Sequence, residues 1–467
     1  MNCKITFSYL ALLLLFTLCG IVPASADQVD DYVKAQMRER HIPGASVAVV
    51  KNGRVIKTSG YGLANVELNA PVTKDTVFEI GSVTKQITAA AIMLLVEEGK
   101  INLDAQIGTY LSNAPEIWKK VTVRHLLTHT SGVKSYTAIG SGFELTKRMK
   151  RDDFIKAIGA LPLEFEPGAR YIYSNSGYNL LGFIIESVSG KSYWDFTQTR
   201  IFKPLGMNQT ANRDPQFIVP NRADGYEWEN GKLVGRDYDL TDVFSAGAIV
   251  STALDLAKWD AALRSETLLK KISLDQMWTP FVLSDGKPHP YGFGFNVADF
   301  RGHQLISHGG QTAGFAANIS RYINDNLTVI VLTNLGDQGL GGAIARGVAK
   351  IYLPDISLRA LKTQINPNAK ITNLLETALR GRMGNKLNLD SFTDEMRKSL
   401  SGERAKLLTE RLSSFGKLKN FVFINSETTG KNRVYRYKAE TPARIMLWRF
   451  ELDETGKIAG MNLEEEE

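Results

Sequence analysis

Ser82 and Lys85 stand three residues apart at the head of the apolar run "SVTKQITAAAIMLLVEEG". Residues i and i+3 share one helix face, so the serine Oγ and the lysine Nζ can meet there. A serine hydroxyl is a poor nucleophile until a neighbouring base takes its proton, and a helix N-terminus offers free N–H groups to a developing oxyanion. The pair suits acyl transfer. The same spacing recurs at Ser131-Lys134, Ser284-Lys287 and Ser414-Lys417, all in turn-rich sequence. Only Ser82 heads a long apolar helix, expected to run to Glu98 and to close at Gly99. An ordinary capping serine is the alternative reading.

Two further stretches carry polar groups beside apolar elements. Tyr173-Ser174-Asn175 precedes an apolar helix expected to begin near Gly177. A phenol beside an ammonium ionises more easily, so Tyr173 could act as base toward Ser82 and later as acid toward the leaving group. Asn175 would offer its amide to the substrate, or else cap the helix. In "ISHGGQTAGF", His308 is followed by Gly309 and Gly310, which could let a ligand backbone lie against a strand edge, and the Gln311 amide could be a second oxyanion donor. The plain alternative is a hairpin turn at the two glycines.

The order S-x-x-K, Y-x-N, H-x-G resembles the serine β-lactamase and penicillin-binding protein superfamily. It is most similar to the class C β-lactamase-like branch, with its esterase, D-aminopeptidase and D-alanyl-D-alanine carboxypeptidase relatives. "GASVAVVKNGRV", "VTVRHLLTHTSGV", "IFKPLGMNQT", "SAGAIVSTALDLAKW", "YGFGF" and "HGGQTAGF" look family-like too, so the resemblance spans roughly residues 30–350. It implies that Ser82 is acylated, that Lys85 assists, that Tyr173 is general base or acid, and that Asn175 and His308 position substrate. No cofactor is implied. Where classical β-lactamases have a permanently cationic lysine, His308 would be only partly charged near neutral pH, which favours an esterase or peptidase over efficient β-lactam hydrolysis.

The elements that must position these groups follow the same division. Strand-like segments flanking Asn52-Gly53 form a hairpin, and three antiparallel strands return after residue 303, with turns expected at Gly309-Gly310 and Asn324-Asp325-Asn326. The expected fold is α+β: a β-lactamase-like antiparallel sheet flanked by helices with a helical insertion, over residues 27–355. A linker is placed at 356–370. Residues 371–467 then read as helices followed by a meander, a small α+β domain similar to nuclear-transport-factor-like folds, which would serve as an accessory or oligomerisation module. The terminal acidic run reads as a solvated tail.

At 467 residues, 43% hydrophobic and 22% charged, the chain is ordinary globular protein. Residues 1–26 fit a signal peptide ending Ala24-Ser25-Ala26, so the protein is expected to be exported, periplasmic or extracellular, with no membrane span after cleavage. Cys3 and Cys19 both lie in that leader, which excludes thiol catalysis in the remainder. The net charge of +7 is spread thinly and implies no nucleic-acid partner. His125 and His129 have i, i+4 spacing without the glutamate of a zinc motif, so no metal site is expected. The expected partner is a small-molecule or peptide substrate of cell-wall type. A non-catalytic envelope protein that binds peptide or glycan on the same fold is the rival function.

Overall fold

The computed structural model describes residues 24–138, 149–214, 216–236, 243–366 and 368–467. The leader assigned to residues 1–26 lies outside them except for its last three residues, which begin α1 (Ala24–Arg40). The hairpin β1 (Gly44–Lys51) and β2 (Arg54–Asn65) turns at Asn52-Gly53, both at positive φ, as that pair predicts. Short β3 (Ala70–Pro71) and β4 (Phe78–Glu79) lead to a 3-10 turn at Gly81–Val83 and to α2 (Thr84–Glu97).

The insertion holds α3 (Val123–Leu127), α4 (Arg151–Gly159), α5 (Asn175–Ser189) and α6 (Tyr193–Thr197), then β5 (Ala211–Asn212), β6 (Gly225–Glu229) and β7 (Lys232–Arg236). It continues through α7 (Phe244–Gly247), β8 (Ile249–Ser251), α8 (Ala253–Arg264), α9 (Lys271–Met277), β9 (Phe281–Val282) and β10 (Pro288–His289). Strands then resume as β11 (Asn296–Phe300), β12 (His303–Thr312), β13 (Phe315–Tyr322) and β14 (Leu327–Thr333), followed by α10 (Leu340–Tyr352).

Both ends of this region build one antiparallel sheet in the order β11-β12-β13-β14-β1-β2-β3. Side chains alternate across a strand, and β1 uses both faces. Ala45, Val47 and Val49 pack with Val33 of α1 and Ile344 and Val348 of α10, whereas Ala48 and Val50 join the core around α2. Every residue of α2 from Thr84 to Leu95 is buried, so the helix carrying Lys85 is a central post and not a surface helix.

The turn expected at Gly309-Gly310 is not there. β12 runs through both glycines to Thr312, and the chain reverses at Ala313-Gly314, where Gly314 takes positive φ. The glycines are needed for a different reason: a Cβ on Gly310 would overlap the carbonyl oxygen of Ile80, so β12 can lie across the entry to α2 only without a side chain there.

After residue 368, α11 (Ala369–Met383), α12 (Asp394–Leu400) and α13 (Glu403–Ser414) precede a meander of β15 (Asn420–Thr429), β16 (Asn432–Glu440), β17 (Ile445–Leu452) and β18 (Ile458–Glu466). Leu375, Leu379, Tyr437, Trp448 and Phe450 give this unit its own core. The acidic run is not a solvated tail. It completes β18 because cations of the first unit face it: Glu465 pairs with Arg301 at 2.6 Å and Lys350 at 3.1 Å. Glu467 accepts from Ser357 Oγ at 2.7 Å and from the Leu358 N–H at 2.8 Å. Among the described residues, no helix is long and apolar enough to cross a membrane.

Candidate active site

The 3-10 turn Gly81–Val83 delivers Ser82 to the head of α2, and the next turn places Lys85 beside it, Nζ to Oγ 3.0 Å. Lys85 is fully buried, and burial pushes its pKa well below the ordinary 10.5. Its other partners are Asn175 Oδ1 at 2.7 Å and the Ala246 carbonyl at 2.8 Å, both able only to accept. A neutral amine has two N–H bonds and one lone pair. Deprotonated, with the two carbonyl acceptors taking its N–H bonds, Lys85 would turn its lone pair to the Ser82 hydroxyl proton; as an ammonium it would donate to all three oxygens.

Tyr173 hydrogen-bonds to Ser82, and its ring centroid lies 4.7 Å from Lys85 Nζ. Sequence reasoning expected this phenol to ionise easily beside a lysine. Burial instead raises its pKa, more than the Ser82 hydrogen bond lowers it, and the lysine that would favour the phenolate is itself held toward the neutral form. Tyr173 is therefore a protonated phenol hydrogen-bonded to Ser82.

Asn175 opens α5, whose N-cap is its neighbour Ser174 and not Asn175 itself. Its Oδ1 holds Lys85 and its Nδ2 donates to Thr137 Oγ1 at 2.8 Å, and it is not among the residues that line the cleft.

His308 is 4% exposed, and its pKa falls to about 3 because of burial and the neighbouring Lys85. The expectation of partial charge is therefore overturned. The direction of its hydrogen bonds can be assigned along a chain. The Ser174 N–H donates to His129 Nδ1 at 3.1 Å, so His129 Nε2 carries the proton and donates to Tyr291 Oη at 3.2 Å. Tyr291 then donates to His308 Nε2 at 2.9 Å, and His308 Nδ1 donates to the Gly309 carbonyl at 2.6 Å. Both ring nitrogens are satisfied, and His308 presents a neutral ring to the cleft.

His125 completes a capping box with Thr122 at α3, while His129 lies beneath Tyr173 with ring centroids 4.2 Å apart. Tyr291 and Tyr171 were missed as individual residues, although "YGFGF" and "ARYIY" contain them, because nothing in local pattern tells a structural tyrosine from a lining one.

Ser82, Tyr173, His308, Gly309, Gly310 and Gln311 line one cleft of about 610 Å³. Tyr171, Tyr291, Asn296, Asn318 and Gln338 share it, and the N-terminal end of α10 closes one wall. No carboxylate, ammonium or guanidinium appears among the described lining residues. Two-residue turns are closed by a pair that exchanges both hydrogen bonds, here Thr312 and Phe315, so by ladder alternation the Gln311 N–H faces away from β13. A Cβ on Gly81 would sit 2.7 Å from that nitrogen, and one on Gly310 3.0 Å from the Ser82 nitrogen, so the two N–H groups share one corner of the cleft. No cluster of three metal-ligating side chains occurs among the described residues.

A model of the β-lactamase family matches residues 29–351. Penicillin-binding protein 4* of Bacillus subtilis (strain 168) is 31% identical over 314 residues, which cover 63% of this chain and 69% of that one. Among solved structures, the octameric penicillin-binding protein homologue from Pyrococcus abyssi superposes with a TM-score of 0.63 at 25% identity, covering 92% of this chain and 96% of that one. The D-amino acid amidase from Ochrobactrum anthropi SV3 gives 0.60 at 26% identity, over 72% and 98%. With the matched residues spanning the sheet, the insertion and the whole cleft, the chain belongs to the β-lactamase family, among penicillin-binding-protein-like and amidase relatives.

Proposed function

We propose that this protein is an exported serine hydrolase that forms an acyl-enzyme at Ser82. The observation that carries the reading is buried Lys85, whose Nζ lies 3.0 Å from Ser82 Oγ, 2.7 Å from Asn175 Oδ1 and 2.8 Å from the Ala246 carbonyl, with burial favouring the neutral amine. As Oγ attacks the acyl carbon, its proton passes to Lys85 Nζ. The oxyanion is received by the N–H groups of Ser82 and Gln311. Collapse breaks the bond to the leaving group, which takes the Tyr173 phenolic proton, and the protonated Lys85 gives its extra proton to the resulting phenolate. Water then hydrolyses the acyl-enzyme, releasing a carboxylic acid and restoring Ser82.

Among the described residues the lining carries no charged side chain, which favours uncharged esters and D-amino-acid amides or peptides over carboxylate-bearing β-lactams. The unit over 371–467 is read as an accessory or oligomerisation module, a role to which an octameric homologue covering 92% of this chain lends support.

The test is intact-protein mass after incubation with p-nitrophenyl acetate and, separately, with a penicillin, for the protein and a Ser82→Ala variant. An acyl adduct, or turnover of the probe, confined to the unsubstituted protein is the expected result. Equal labelling of the variant, or neither adduct nor turnover with either probe, would sink the reading.

A further inference from the structure

The two N–H groups assigned to the oxyanion stand on different sheets. Ser82 follows β4, which pairs with β8, and β8 with β5; Gln311 lies on β12 of the seven-stranded sheet. Among the described residues, no backbone hydrogen bond joins residues 79–83 to residues 308–313. Packing through Gly81 and Gly310 allows the close approach but does not fix its length, because glycine supplies no directional contact.

A directional bond is supplied by side chains. Thr312 Oγ1, one residue past Gln311, donates to Glu79 Oε2 at 2.6 Å, and Glu79 stands three residues before Ser82. The other carboxylate oxygen accepts from Arg213 Nε at 3.1 Å. Arg213 directly follows β5, and its own N–H donates to the Ala248 carbonyl at 2.8 Å. Glu79 is 3% and Arg213 5% exposed, so the contact is little screened by water. Side chain and backbone together close a small ring that runs from the Ser82 N–H back to Glu79, across to Thr312 and on to the Gln311 N–H.

Resting on the acyl-enzyme reading of Ser82, we infer that Glu79 and Thr312 are positioning residues that set the separation of the two oxyanion donors, with Arg213 anchoring the carboxylate. Neither touches the substrate. Their effect belongs to the transition state, because the oxyanion and not the ground-state carbonyl needs both donors at hydrogen-bond length. Turnover should therefore change while substrate binding does not.

Glu79→Gln removes the negative charge paired with the buried Arg213 guanidinium and is liable to misfold. Thr312→Val removes only the hydroxyl and keeps the branched shape. With p-nitrophenyl acetate, Thr312→Val is expected to lower kcat about ten-fold or more, short of the full loss of a donor, with KM within about two-fold. Inhibition by phenylboronic acid, which forms a tetrahedral adduct on a serine, should weaken in parallel. Thr312→Ser, which restores the hydroxyl, should recover most of both. A Thr312→Val enzyme with unchanged kcat, or a Thr312→Ser enzyme as slow as Thr312→Val, overturns the inference while leaving the acyl-enzyme reading intact. A native protein that is never acylated at Ser82 overturns both.

Discussion

Lys85 is fully buried with no carboxylate among its hydrogen-bond partners, which is the condition under which a lysine becomes a base. Two consequences follow for pH. The ratio kcat/KM toward an uncharged ester should climb as pH rises through the folded-state pKa of Lys85, which lies well below 10.5. His308, neutral down to about 3, should add no inflection near 6.5. A limb near 6.5 that vanishes in His308→Gln would contradict this assignment. Stability follows the same sign. The native state binds fewer protons than the unfolded chain at pH values between the two Lys85 pKa values, so its contribution is complete above 10.5 and declines as pH falls toward the folded value. Lys85→Met, which cannot titrate, should flatten that part of a plot of unfolding free energy against pH.

At the scale of elements, the site depends on β12 crossing the entry to α2 at close range. Gly310→Ala tests this. A methyl there meets the Ile80 carbonyl oxygen and lies 3.0 Å from the Ser82 nitrogen, both backbone atoms that cannot rotate aside. Moving β12 outward should cost about 1–3 kcal/mol of stability, as overpacking does, and should abolish acylation because the Gln311 N–H moves with the strand. Thermal unfolding and adduct mass measured on the same sample check both halves, and acylation at the unsubstituted rate would refute the close crossing. The reverse turn expected at Gly309-Gly310 failed for the same physical reason. Sequence punctuation by glycine signals either a turn or a close approach, and only the neighbour across the gap, Ile80, decides which.

For the molecule as a whole, the second unit is held to the first partly through Glu465 and Glu467. Burial alone would raise the Glu467 pKa, but the Ser357 hydrogen bond and the Lys350 charge more than offset it, and the net shift is downward from 4.5. Its contribution to stability is thus present above pH 4.5 and is lost as pH falls through the lower folded value. Glu467→Gln should lower the melting temperature near neutral pH, and the gap to the unsubstituted protein should narrow in acid; a gap independent of pH would argue that the carboxylate charge is not what docks the tail. The sequence by itself determined the local features: the Asn52-Gly53 hairpin, the long apolar helix, the separate small α+β unit, and the order of Ser82, Lys85, Tyr173 and His308, because hydrophobic period, turn chemistry and motif order are properties of neighbours in the chain. The tertiary structure alone decided that Lys85 is stripped of water, that Tyr173 keeps its proton, that His308 is neutral at the end of a chain through Tyr291 and His129, and that Glu79 reaches Thr312. Each of these depends on burial and on partners up to 233 positions apart, and desolvation is set by what packs around a group and not by what precedes it.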